Sequence, residues 1–66
     1  MSDLDAYRCA RQMIDHHGLN AGPKAEIMAE LMADADDEPA WRAWMHVVAA
    51  IDGLLRTTRR AGEPLH

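Results

Sequence analysis

The sequence predicts an all-α fold, a compact three-helix unit with short corners and its longest helix at the C-terminal end. Three observations predict it. Apolar residues recur every three or four positions in three separate stretches. Each stretch is bounded by a capping residue and by glycine or proline. No stretch alternates apolar and polar residues as a strand does. At 66 residues the chain holds one domain. The expected division is a helical domain over 1–60 and a flexible tail over 61–66.

The first helix starts at Ser2, whose hydroxyl can accept a free backbone N–H, with Asp3 and Asp5 at the positive end of the dipole. Leu4, Tyr7, Ala10, Met13 and Ile14 carry the helical spacing, and Gly18 ends it through the left-handed conformation that glycine adopts most easily. The stretch DHHGLNAGP is then a corner built from His17, Gly18, Asn20 and Pro23. Adjacent residues on a helix point about 100° apart, so His16 and His17 are poorly placed to grip one metal ion. Asn20 is expected to cap the second helix, and Pro23 to occupy its first turn, where a missing N–H does no harm.

The second helix is expected over about 21–35, with Ile27, Met28, Leu31, Met32 and Ala35 as its apolar stripe. The acidic stretch DADDEPAW makes the next corner. It is no calcium loop: counted from Asp34, its sixth position is Pro39 and its twelfth is Met45, where glycine and glutamate are needed. Asp36 or Asp37 caps the third helix, and Pro39 lies in its first turn. That helix is expected from Glu38 to Thr58 or Arg60, with Gly62 and Pro64 stopping it. Its apolar face carries Trp41, Trp44, Val47, Val48, Ile51, Leu54 and Leu55. The expected core is Tyr7, Ile14, Leu31, Trp44, Val48, Ile51 and Leu55.

Charge and size restrict the function. Seven basic against eleven acidic residues give a net charge of −4, which disfavours general binding to a phosphate backbone. A helix-turn-helix reading of the three helices would present Glu38, Pro39 and Ala40 to the bases, a poor set for reading them. The single cysteine, Cys9, permits no intrachain disulfide. With no export signal or long apolar run in view, the expected setting is the cytoplasm. No phosphate loop, zinc-protease or paired-cysteine motif is present. Cys9 and His16 are two turns apart, too far for a direct hydrogen bond. The chain is therefore expected to be no enzyme, with no catalytic residue, no metal and no cofactor.

The third helix also carries a second set of positions. Trp41, Met45, Ala49, Ala50 and Gly53 form a candidate interface, because small residues let another helix approach closely. A small domain buries limited surface, so association is an economical source of stability. The expected function is a small non-catalytic helical interaction module, one that forms a homodimer or binds a partner protein. The alternative is an acidic inhibitor or nucleic-acid mimic of phage or mobile-element type, acting on a nuclease or defence complex through Asp3, Asp5, Asp34, Asp36, Asp37 and Glu38. Neither membrane nor nucleic acid is an expected partner.

The segments AYRCARQMIDHHG, NA, AELMADADD and VVAAIDGLL, with a tryptophan before the last, resemble a family of small three-helix proteins common in alphaproteobacterial genomes. The resemblance spans residues 5 to 55 and is carried by Tyr7, His17, Gly18, Asn20, Ala21, Asp37, Trp44, Ile51 and Leu54. It departs from the family pattern at Ala35-Asp36, near where many members have glycine, and in the extra indole of Trp41. It implies a three-helix fold and a structural contact between His17 and Trp44. No function is assigned to the family, so it implies none.

Overall fold

In the computed structural model, residues 2–62 are described, with side chains described through Thr57. All secondary structure among them is helical: α1 at Asp3–His17, a 3-10 turn at Gly18–Asn20, α2 at Ala21–Asp34 and α3 at Glu38–Gly62. Helical residues run unbroken from Asp3 to Asp34, so the chain consists of two continuous helical stretches where three separated helices are expected. The reason is local. The break in the α-helical path is limited to His17 and Gly18, the latter at φ +57°, and the chain resumes a tighter helical turn at once.

The caps follow from donor and acceptor bookkeeping. Ser2 Oγ accepts the N–H of Asp5 at 3.2 Å. The Gly18 N–H returns to the carbonyl of Ile14. Asn20 makes no side-chain cap, contrary to the expectation; it sits inside the 3-10 turn in a helical conformation, and its side chain gains no bond to a free N–H of α2. α2 closes with a Schellman motif. The Asp37 N–H donates to the Met32 carbonyl at 2.9 Å and the Asp36 N–H to the Ala33 carbonyl at 3.1 Å. This geometry holds Asp36 at φ +59°, a conformation that favours glycine. Asp37 then caps α3: its carboxylate accepts the Ala40 N–H at 3.2 Å. α3 continues to Gly62, so Ala61 and Gly62 belong to the helix and not to the expected tail. The remainder of that tail, 63–66, lies outside the described residues.

α3 packs on both α1 and α2, which touch each other little. The long axis of the molecule, 45 × 21 × 16 Å, reflects the length of this helix. The buried core is mostly alanine: Ala6 and Ala10 from α1, Ala21, Ala25 and Ala29 from α2, with Val47 and Ile51 from α3. The alanines stand four apart on each helix, which aligns them along one edge. Their small side chains leave room for α3 to approach closely, and its branched Val47 and Ile51 fill the space between.

This arrangement corrects two of the expected core positions. Tyr7 is 44% exposed and Leu31 is 51% exposed. Tyr7 is one residue, or 100°, round from Ala6, and Leu31 is two residues, or 200°, round from Ala29. Once the alanine edges face α3, both larger side chains must turn outward. Ile51 is buried, while Ile14, Trp44, Val48 and Leu55 are half-buried against the same cluster. The expected stripe of α2 is likewise rotated: Ile27 is 56% exposed, and Ala35 lies just past the end of the helix.

Candidate interaction surface

The histidine corner does not bring a ligand set together. His17 lines an open groove between α1 and α2 with Met13, Lys24, Ile27 and Met28. Its ring lies 6.3 Å from that of His16, and this is the only aromatic pair among the described residues. The stacking of His17 on Trp44 implied by the family resemblance is therefore not formed; Trp44 packs instead against the core on α3. Among the described residues, no three His, Cys, Asp or Glu side chains cluster as a metal site would require. Among the described residues, none of the buried ones is polar or charged. Cys9 is half-buried at the margin of the core.

The outward side of α3 is more informative. The helix repeat places Glu38, Arg42, Met45, Ala49, Asp52 and Arg56 on a single stripe, with alternating steps of four and three residues. All six are exposed. The stripe lies roughly 160° round the helix from Val47 and Ile51, so one helix presents two opposed working faces. Two ion pairs run along the stripe. Arg42 approaches Glu38 at 3.5 Å, and Arg56 is bonded to Asp52. Their side chains are about two-thirds or more exposed, so each pair by itself adds little stability.

Met45 and Ala49 separate these ion pairs. Met45, 41% exposed, also borders an open groove between α2 and α3, whose other walls are Leu19, Pro23, Val48 and Leu55. Trp41, 38% exposed, flanks the stripe beside Pro39 and His46. Gly53 sits in the middle of α3 with open space where a side chain would stand. The interface residues expected from the sequence thus divide. Trp41, Met45, Ala49 and Gly53 are exposed on or beside the stripe. Ala50 is half-buried and packs on the core, because it lies on the opposite side of the helix from Met45. Side-chain size alone does not show the alternation of charge along the stripe; the 4-3 spacing of Glu38, Arg42, Asp52 and Arg56 about Met45 and Ala49 is its signal.

Two acidic side chains of the second corner make local contacts. Asp37 caps α3, Glu38 faces Arg42, and Asp36 occupies the left-handed turn position. No helix among the described residues is long and apolar enough to cross a membrane. No protein-family model, curated protein or solved structure matches the chain.

Proposed function

We propose that this protein is a small non-catalytic interaction module that works by presenting apolar helical surface to another protein chain. The observation that carries this reading is the exposure of large hydrophobic side chains on every helical segment. Leu4 and Tyr7 on α1, Ile27 and Leu31 on α2, and Trp41 and Met45 on α3 are each 38% exposed or more. Leu19, in the 3-10 turn, is 70% exposed.

Among the described residues only two large side chains are fully buried, which leaves little intrachain stabilisation in reserve. A reducing, cytoplasmic setting suits the single unpaired cysteine.

The acidic-inhibitor reading has less support, because at the second corner the Asp37 carboxylate caps α3 and that of Glu38 pairs with Arg42. Sedimentation of the purified chain, together with retention of cell proteins on the immobilised chain, tests the proposal. A complex with itself or with a specific partner at micromolar concentration is the expected result. A chain that stays monomeric to hundreds of micromolar and retains nothing would overturn it.

A further inference from the structure

We infer that the outer stripe of α3 is a self-recognition surface, on which a second copy of this chain docks its own α3 in the antiparallel direction. The inference rests on the reading of the protein as an interaction module and names the partner and the register. It follows from a symmetry in the stripe. Read from the N-terminal end, the exposed positions are acidic, basic, Met, Ala, acidic and basic: Glu38, Arg42, Met45, Ala49, Asp52 and Arg56. An antiparallel copy centred beside Val47 sets Glu38 against Arg56, Arg42 against Asp52, and Met45 against Ala49. Two-fold symmetry repeats each pairing. Every charge then meets an opposite charge, and the larger uncharged side chain of the stripe meets the smaller.

The alternative arrangements lack this property. A parallel copy places Glu38 on Glu38 and Arg42 on Arg42, and like charges facing each other oppose association. A shift of one heptad in either direction sets Arg42 against Met45, or Ala49 against Asp52. The stripe therefore specifies both direction and register, as charge pairs do in coiled coils. The ion pairs already present within each helix assist it. Arg42 is held toward Glu38 and Arg56 toward Asp52, so each arginine is positioned to sit between a carboxylate of its own helix and one of the second copy. A network of this kind is worth more than an isolated exposed pair. On one flank the same register sets Trp41 against Leu55 of the second copy, and the two Val48 side chains against each other. These side chains are incompletely buried in the single chain.

Charge redesign with sedimentation equilibrium tests the proposal. The chain carrying Arg42→Glu and Arg56→Glu has an all-acidic stripe; the chain carrying Glu38→Arg and Asp52→Arg has an all-basic one. Each alone is expected to dimerise at least about tenfold more weakly than the wild type, and an equimolar mixture to pair at least as tightly as the wild type. The chain carrying Arg42→Glu with Asp52→Arg separates the interchain role from the intrahelical one. It places like charges four apart within each helix but keeps every pairing between copies, so it is expected to dimerise within about threefold of the wild type. Circular dichroism of each chain tracks its helix content, and a redesigned pair that loses helix is replaced by the single variants Arg42→Glu and Asp52→Arg. Dimers unaffected by any charge reversal would overturn the stripe while leaving the interaction module standing. A monomeric wild type that retains another protein would overturn self-recognition alone. Acidic and basic chains that are each weakened but fail to pair in the mixture would overturn charge pairing along the stripe, and a folded chain carrying Arg42→Glu with Asp52→Arg that fails to dimerise would overturn the antiparallel register.

Discussion

The two faces of α3 are built on opposite principles. The inward face relies on shape. Val47 and Ile51 enter a seam of alanines on α1 and α2, no polar side chain is buried there, and close approach is the source of stability. The outward face relies on pattern. Its charges are exposed and individually weak, and their value depends on what they meet. The difference teaches that one amphipathic helix can hold a small fold together with half of its circumference and leave the other half for the pairing proposed above. It also predicts that the faces respond differently to substitution. Inward changes should alter the stability of the single chain, and outward changes should alter association at nearly constant stability.

The largest effect is expected at Ile51. Ile51→Ala removes one of the two large fully buried side chains and should cost about 3 kcal/mol of unfolding free energy, read by urea denaturation. In a domain of this size that loss consumes much of the stability. A change below about 1 kcal/mol would mean that α3 is not seated on the alanine seam. Next comes the seam itself. Ala25 has no exposed surface, and Ala25→Leu forces extra carbons into a filled space, for an expected loss of about 2 kcal/mol in the same assay. Tolerance of leucine would show that the helices are farther apart than this packing requires.

The corner that delivers α3 to the core should respond in the other direction. Asp36→Gly relieves a left-handed residue while keeping the Schellman bonds, and should raise stability by about 1 kcal/mol, seen as a higher thermal midpoint. The smallest effect on the single chain belongs to the outward face. Arg42→Glu, measured at concentrations too low for association, should change unfolding free energy by less than about 0.5 kcal/mol.

The sequence made the helical class legible, and it made legible those ends where chemistry is local. Ser2 and Asp37 cap helices through their side chains and Gly18 ends one through its backbone, since a cap depends on neighbours within four residues. The identity of the core was less legible. Large apolar residues at helical spacing, such as Tyr7 and Leu31, advertise a core, but burial was decided by which edges allow the closest approach of α3. Alanines at 6, 10, 21, 25 and 29 supply that edge, and alanine reads equally well as an ordinary helix former. Asn20 was misleading for a related reason: a capping residue needs an extended backbone, and the break falls at His17 and Gly18, so that Asn20 is already helical. On the outward face, Trp41, Met45, Ala49 and Gly53 were accessible to reasoning from side-chain size, whereas the charge alternation around them emerges only once the inward face fixes which positions point away.

The central claim is that the outward stripe pairs with itself in the antiparallel direction, and disulfide trapping measures it most directly. In a Cys9→Ser background, one chain carries Glu38→Cys and another carries Arg56→Cys. The proposed register brings these two positions together while holding each about 27 Å along the helix from its own counterpart. Mild oxidation of the mixture should give a covalent dimer of the two different chains, and neither chain alone should form one. A covalent dimer from either chain alone, with none specific to the mixture, would contradict the account.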